Sequence, residues 1–222
     1  METVEFLGRY RLTQSDDCFK LGRDSVLLAD FATVRPGWQV CDLGCGTGSL
    51  LLLLSQRAER LVRFGAELDP RAADLARRNL RDNGLEGTVL TGDLRDPDLL
   101  PRDVFQLVIS NPPYFRTGSG KSGGAARMDE TCSVADLCLA AGRLSRTGGR
   151  FAVVYRPERL AELFSAMEKA RLTPKRMQLL AYDMKKPPYA VLAEAVKDGG
   201  PGLEVLPVRY QEPAGGAPPA SY

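Results

Sequence analysis

The 222-residue sequence contains no histidine, so it lacks the side chain that most often serves as a catalytic base. Serine and cysteine triads, which need an imidazole, are therefore excluded. Five cysteines are present, but no two of them form a Cys-x-x-Cys pair, so neither a zinc site nor a disulfide framework is expected. We therefore predict a protein without a metal. Since unpaired cysteines are typical of the reducing cytosol, we also predict a cytoplasmic location.

Long apolar runs and an excess of charge of one sign are also missing. No stretch reaches the length that spans a bilayer, and residues 1–5 do not resemble a signal peptide, so no membrane partner is expected. The formal net charge is only +2, so contact with a nucleic acid would have to come from a local basic patch. The length and the hydrophobic content of 44% suit one globular core with a short appendage.

Strand and helix patterns alternate from Trp38 onward, which predicts a mostly parallel sheet with helices on both faces. Seven apolar segments are typical of strands, and the last two cover residues 175–182 and 189–196. Before Trp38, residues 4–12 suggest a small hairpin, and Asp24 is a suitable N-cap for the helix that follows. The predicted fold is α/β, with a seven-stranded Rossmann-like sheet and a short N-terminal hairpin and helix.

Composition and pattern divide the chain into three predicted parts. An N-terminal extension covers residues 1–37 and is expected to pack on the main domain, which covers residues 38–210. Residues 211–222 are rich in proline, glycine and alanine, and we expect them to be disordered because they cannot bury enough apolar surface.

The strand predicted at residues 104–109 stops at two prolines, within Asn111-Pro112-Pro113-Tyr114. Proline cannot donate to a sheet ladder, so the chain leaves the sheet there, at the carboxyl end of a strand. The side-chain oxygen of Asn111 and the carbonyl of Pro112 can accept both hydrogens of one planar amino group, and Tyr114 offers a flat face for its ring. Two such acceptors stabilise the positive charge that develops when the nitrogen is methylated. A plain turn that ends a strand would have the same sequence.

A glycine-rich segment, Asp42-Leu43-Gly44-Cys45-Gly46-Thr47-Gly48, follows the first strand of the alternating pattern and opens a helix predicted over residues 49–57. Glycine lets the backbone turn sharply and approach a ligand closely. The Gly-x-Gly-x-Gly spacing is tighter than the Gly-x-Gly-x-x-Gly of dinucleotide folds. Glu67 ends the second strand, close to where such folds place a ribose-binding carboxylate, and Asp93 ends the third. One such acid is more often a helix cap, but three at successive strand ends predict a ligand site.

Taken together and in this order, these motifs resemble the class I S-adenosylmethionine-dependent methyltransferases. The resemblance implies that S-adenosylmethionine is the cofactor and that the glycine loop holds its methionine end. It also implies that Glu67 binds the ribose hydroxyls and that Asp93 reaches the adenine amino group. The cofactor-binding residues expected from it are Asp42, Gly44, Cys45, Gly46, Gly48, Glu67, Asp93 and Asn111, and the expected catalytic residues are Asn111, Pro112, Pro113 and Tyr114.

Further segments resemble one subfamily, the tRNA1(Val) adenine-N6 methyltransferases, which act beside the anticodon. These segments are residues 19–28, the run Ala126-Arg127 with Asp129-Glu130, and residues 197–203. Members of the subfamily often carry histidine where this chain has Met128. The resemblance extends over nearly the whole chain and implies methyl transfer to the N6 amino group of an adenine in RNA, with tRNA as the expected partner.

A low-complexity stretch, residues 116–127, directly follows the candidate active site and carries three cations among glycines and serines. We predict a mobile basic loop that closes over an RNA substrate, although a solvated linker would have a similar composition. The substrate-binding residues predicted in it are Arg116, Lys121 and Arg127.

Three other functions stay open at the level of sequence. Asn-Pro-Pro-Tyr also marks guanine-N2 methyltransferases of rRNA, which usually duplicate the domain, and this sequence has no internal repeat. It marks enzymes that methylate a glutamine of release factors, which normally need a preceding helical domain, whereas only about forty residues precede the glycine loop. The third is a non-catalytic protein of this fold that binds RNA or cofactor, and such a protein would not need both Asn111 and Tyr114.

Overall fold

Within residues 1–112 and 132–211, which the computed structural model describes, eight strands form one mixed sheet and two more form a separate antiparallel hairpin. The hairpin strands are β1 (Glu2–Leu7) and β2 (Tyr10–Ser15). The sheet strands are β3 (Gln39–Leu43), β4 (Val62–Glu67), β5 (Gly87–Thr91), β6 (Phe105–Ser110), β7 (Ser145–Tyr155), β8 (Leu172–Ala181), β9 (Ala190–Lys197) and β10 (Glu204–Tyr210). The α-helices are α1 (Arg23–Phe31), α2 (Ser49–Arg57), α3 (Pro70–Asp82), α4 (Val134–Leu144) and α5 (Leu160–Lys169), the last preceded by a 3-10 turn (Pro157–Arg159).

The strand order of the sheet is β10-β8-β9-β7-β6-β3-β4-β5. Neighbouring strands are parallel except where β9 pairs with β7 and β8, because β9 alone runs in the opposite direction. The predicted Rossmann-like α/β fold with a mostly parallel sheet is confirmed. The sheet has eight strands instead of the predicted seven, since β10 adds an edge strand beside β8. This strand is largely exposed and contains Pro207, so its sequence lacks the apolar run of a central strand.

Two layers of buried side chains cover the two faces of the sheet. Leucines of α1 and α2, together with the hairpin and α3, pack on the face to which Val40 and Ile109 point. Helices α4 and α5 pack on the opposite face, to which Cys41 and Val108 point. Helices on both faces were predicted and are confirmed. Among the described helices, none combines the length and the apolar character needed to cross a bilayer.

Helix α1 begins two residues earlier than predicted. Its N-cap is Gly22 in an extended conformation, and the predicted cap, Asp24, lies in the first turn, where its charge still suits the positive end of the helix dipole. The helix ends at Phe31, and the following Thr33 donates from its backbone amide and its hydroxyl to the carboxylate of Glu194, at 2.6 and 2.9 Å. Glu194 lies fully buried on β9 and also accepts from Arg150 at 2.7 Å, so the end of α1 is fixed to the sheet.

Two asparagines, Asn79 within α3 and Asn83 at its C-cap, attach the hairpin to this helix. The Asn79 side chain accepts from the backbone amide of Thr13 and donates to its carbonyl, at 2.9 Å in both cases. One helical turn later, the Asn83 side chain binds the amide and the carbonyl of Arg11 at 2.8 and 2.7 Å. The two amides therefore satisfy backbone groups along the edge of β2 that would otherwise need another strand.

Candidate active site at the carboxyl edge of the sheet

The carboxyl ends of β3, β4, β5 and β6 lie side by side at one edge of the sheet. The chain runs from β3 outward to β4 and β5, then returns to place β6 on the other side of β3. Open α/β sheets bind their ligands at such a switch point. The strand register puts Asp42 beside Gly65 and Ile109, and it puts Glu67 beside Thr91. The acids predicted at the strand ends are thus brought to the same edge.

The glycine loop between β3 and α2 has a backbone that glycine adopts most readily. Gly44, Gly46 and Gly48 have φ values of 74°, 52° and 82°, all in the left-handed region. A Cβ at Gly48 would approach the Cβ of Ala76 to 3.2 Å, so this glycine is also needed for close packing on α3. At Gly44 and Gly46 a Cβ would meet no heavy atom within 4 Å, so these two residues border open space where a ligand can approach the backbone.

Hydrogen bonds to β4 and α3 also fix the glycine loop. The amides of Gly44 and Cys45 donate to the carbonyl of Ala66 on β4, at 2.9 and 3.1 Å. The carbonyl of Thr47 accepts from the buried amide of Asn79, at 2.9 Å. The loop is therefore a fixed part of the site rather than a free turn.

Cys45, expected among the cofactor-binding residues, has a side chain that packs away from this open space. Its thiol is buried, and a Cβ on Gly65 would come within 2.8 Å of Sγ. Burial is the main reason why the pKa of this thiol is raised well above its usual range, with the nearby Asp42 and Glu67 adding to the effect. Contact with a cofactor would have to come from the backbone of Cys45, and this role stays a prediction.

The carboxylate of Glu67 is oriented by two backbone amides. Oε2 accepts from Gly46 in the glycine loop at 2.8 Å, and Oε1 accepts from Asp69 at 2.9 Å. The side chain is buried but borders a pocket at this edge of the sheet. The residues that line this pocket are Gly44, Ala66, Glu67, Leu68, Gly92, Asp93, Leu94 and Cys132. Three of the predicted cofactor residues, Gly44, Glu67 and Asp93, therefore share one pocket.

Asp42 is a buried carboxyl group in an unfavourable environment. It is 1% exposed, and neither of its oxygens has a hydrogen-bond partner within the described part of the chain. Burial raises the pKa of Asp42 well above its usual value, and the negative charge of Glu67 adds to the shift. A buried acceptor without a partner is costly, so the site suits a ligand that supplies a donor or a positive charge. The site therefore offers two carboxyl groups as acceptors, beside an open glycine loop. S-adenosylmethionine fits it, because this cofactor carries an amino group, a sulfonium and ribose hydroxyls.

Asp93 differs from Asp42 and Glu67 because it forms an ion pair with an arginine side chain. Both of its oxygens receive hydrogen bonds from the Arg95 guanidinium, at 2.5 to 3.0 Å, and the Arg95 amide adds another at 2.9 Å. The Arg95 side chain is also the main reason why the pKa of Asp93 is lowered. Its expected contact with an adenine amino group stays a prediction, since the carboxylate would have to serve Arg95 and the ligand together.

Asn111 follows β6 and is placed next to helix α1. Its Nδ2 donates to the hydroxyl oxygen of Ser25, at 2.8 Å. Ser25 is buried, whereas Asn111 and Pro112 are partly exposed. Sequence reasoning did not single out Ser25, although it lies within the segment 19–28 that resembles the adenine-N6 subfamily. The other predicted catalytic and substrate-binding residues, Pro113, Tyr114, Arg116, Lys121 and Arg127, lie outside the described residues.

Comparisons with known proteins agree with this geometry. The tRNA1(Val) (adenine(37)-N6)-methyltransferase of Porphyromonas gingivalis is 29% identical over 198 residues, which are 84% of this chain and 78% of that protein. The Cronobacter sakazakii protein of the same name is 34% identical over 159 residues, and the match spans 68% of this chain but only 64% of the relative's length. A crystal structure of a predicted O-methyltransferase from Agrobacterium tumefaciens has the same fold, with a TM-score of 0.69, 22% identity and coverage of 86% and 89% of the two chains.

A family model decides the classification. The model described as the methyltransferase small domain matches residues 20–175, which is more than half of the chain and includes the glycine loop, Glu67, Asp93 and Asn111. The resemblance to the class I S-adenosylmethionine-dependent methyltransferases is thereby confirmed. The chain belongs to the methyltransferase small domain family.

Proposed function

We propose that this protein transfers the methyl group of S-adenosylmethionine to the N6 amino group of an adenine in tRNA, beside the anticodon. The observation that carries the proposal is the position of Asn111. It lies at the carboxyl end of β6, next to the strand whose glycine loop borders the open pocket with Glu67. The names of the Porphyromonas gingivalis and Cronobacter sakazakii relatives, which specify adenine 37 of tRNA1(Val), support the choice of substrate.

The pocket residues would hold the cofactor in distinct ways. The carboxylate of Glu67, already oriented by the amides of Gly46 and Asp69, would accept hydrogen bonds from ribose hydroxyls. The open backbone at Gly44 and Gly46 would admit the methionine end. The carboxyl of Asp42, which has no hydrogen-bond partner among the described residues, would offset positive charge near it. When bound, S-adenosylmethionine supplies a methyl group activated by a positively charged sulfur.

Asn111 would act on the acceptor nitrogen. The lone pair of an exocyclic amino group is conjugated with its ring and is therefore a poor nucleophile. Oδ1 of Asn111 and the carbonyl of Pro112 would each accept one of its hydrogens, which localises the lone pair and stabilises the positive charge that develops on nitrogen during attack. The methylated nitrogen is then a strong acid and releases its proton to water, so the absence of histidine is no obstacle.

Recognition of RNA would fall to residues that follow Asn111 and Pro112 in the chain. Tyr114 would stack on the target base, and Arg116, Lys121 and Arg127 would contact phosphates near it. These assignments rest on the sequence. A tRNA substrate would also place the enzyme in the cytoplasm, in agreement with the expectation from its cysteines.

The test is to incubate the protein with methyl-labelled S-adenosylmethionine and, separately, with total tRNA, rRNA and a release factor, and then to identify the labelled residue after digestion. We expect N6-methyladenosine from tRNA. A valine tRNA transcript with guanosine in place of adenine 37 and the Asn111→Ala protein serve as controls, and both should remain unlabelled.

Each alternative gives a different result in the same experiment. Labelled N2-methylguanosine from rRNA or labelled glutamine from the release factor would replace the proposed substrate. Absence of label in all three, with cofactor binding intact by calorimetry, would show a non-catalytic protein.

A further inference from the structure

The hydrogen bond from Nδ2 of Asn111 to Oγ of Ser25 joins the acceptor site to the N-terminal helix. We propose that Ser25 is a positioning residue, which fixes the orientation of the Asn111 amide so that Oδ1 faces the substrate amino group. This inference rests on the proposed function, because it assigns Asn111 the role of an acceptor.

The orientation of this amide decides whether Asn111 can work at all. An asparagine amide has nearly the same shape after a rotation of 180°, but only its oxygen accepts hydrogen bonds. In the rotated state, the NH2 group would face the NH2 group of the substrate, and two donors cannot pair. In the structure the Ser25 oxygen accepts from Nδ2, and this hydrogen bond holds the amide against rotation.

Both partners of this hydrogen bond are held by neighbouring structure. Ser25 is 5% exposed on α1, and the buried Leu27 and Leu28 of that helix pack in the core. Asn111 follows Ser110, whose hydroxyl donates to the carbonyl of Leu43 at 2.7 Å and so ties the end of β6 to the end of β3. A functional amide fixed by a buried group on a rigid helix is held within the narrow range of geometry that catalysis requires.

The first test compares Ser25→Ala with Ser55→Ala. Ser55 is also a buried serine in a helix, on α2. Its hydroxyl donates to the carbonyl of Leu51 and accepts from Nε of Arg63, so Ser55→Ala likewise removes an acceptor of a side-chain hydrogen bond, but outside the site. For Ser25→Ala we expect kcat on tRNA to fall by about 10- to 100-fold, the range known for residues that orient metal ligands from the outer shell. The KM for tRNA and the Kd for cofactor should each change by less than about twofold, because Ser25 acts only on the amide that engages the transition state.

Two further variants separate positioning from a general effect on folding. Ser25→Thr keeps an oxygen at this position and should retain more of kcat than Ser25→Ala. In Asn111→Asp, the side chain offers an acceptor oxygen in either orientation, so removal of Ser25 should reduce kcat of that protein less than it reduces kcat of the wild type.

An NMR measurement tests the hydrogen bond without methyl transfer, so it applies even if the proposed substrate is wrong. The Asn111 side-chain amide signal in a 15N NMR spectrum, assigned with Asn111→Ala, should shift in Ser25→Ala and stay in place in Ser55→Ala. An unchanged amide signal, or wild-type kcat in Ser25→Ala, would overturn the role of Ser25. Failure of the wild-type protein to methylate tRNA would refute the proposed function and leave the NMR result to decide on the hydrogen bond.

Discussion

Asn79 on α3 and Thr47 in the glycine loop are joined by a 2.9 Å hydrogen bond between the side-chain amide and the backbone carbonyl. The same side chain binds both backbone groups of Thr13 on the hairpin, and it is fully buried. The hairpin and the glycine loop, which are separate in sequence, are therefore both hydrogen-bonded to the side-chain amide of Asn79.

Replacement of Asn79 should affect the hairpin and the glycine loop at once. Asn79→Asp removes the two donors and places an acceptor beside two carbonyls, so we expect a loss of about 1–3 kcal/mol of stability and weaker cofactor binding. Urea unfolding and calorimetry measure the two effects. Asn83→Ala is the control, because Asn83 binds the hairpin but is not bonded to Thr47, and it should leave cofactor affinity unchanged. Equal cofactor affinity in both variants would show that the glycine loop does not depend on Asn79.

The buried carboxyl of Asp42 is predicted to lower the stability of the ligand-free fold while it favours cofactor binding. Since burial raises its pKa in the folded state, the folded protein holds this proton at pH values where the unfolded chain has lost it. Stability is therefore lost as the pH rises above about 4, the usual pKa of the side chain, and the loss is complete above the raised pKa.

Asp42→Asn should remove this penalty. We expect the ligand-free variant to be more stable than the wild type by about 1 kcal/mol at pH 8, with a difference that shrinks toward pH 4, and to bind the cofactor less tightly. Thermal unfolding at several pH values checks the first part and calorimetry the second. A variant that is less stable than the wild type at pH 8 would contradict the interpretation.

Glu67 is expected to contribute to cofactor binding through its charge. Hydrogen bonds to a charged acceptor are worth about 1.5–3 kcal/mol, so Glu67→Ala should weaken S-adenosylmethionine binding by at least tenfold. Glu67→Gln keeps an oxygen for the Gly46 amide and should lose less. Calorimetry on both folded variants measures the difference, and unchanged affinity in Glu67→Ala would remove this residue from the site.

The basic stretch 116–127 predicts a salt-dependent contribution to RNA binding. Replacing Arg116, Lys121 and Arg127 by alanine should lower RNA affinity and reduce the slope of log K against log salt by ~0.7 for each single-strand phosphate that the variant no longer neutralises. Fluorescence anisotropy across a salt series measures this slope. Cofactor affinity should not change, and a wild-type slope would show that the stretch is only a linker.

Local patterns predicted the parts of the site that depend on neighbours in sequence. The helix after the glycine loop occupies the predicted residues, Ser49–Arg57, and Glu67 ends its strand as expected, because an apolar strand, glycines and a helix start all lie within a few residues of one another. Ser25 and the partners of Asn79 were not predicted, since each contact joins residues far apart in the chain. The pairing of Asp93 with Arg95 is local but was missed, because the sequence does not show which of two ligands a surface carboxylate will choose.

The separation of 86 residues between Ser25 and Asn111 also bears on how the site is assembled. The glycine loop and Glu67 lie close together in sequence, whereas the acceptor site also needs the N-terminal helix, which contacts Asn111 through Ser25. Contacts that close long loops tend to form slowly. In a refolding experiment, the ability to bind cofactor should therefore return before the ability to transfer a methyl group.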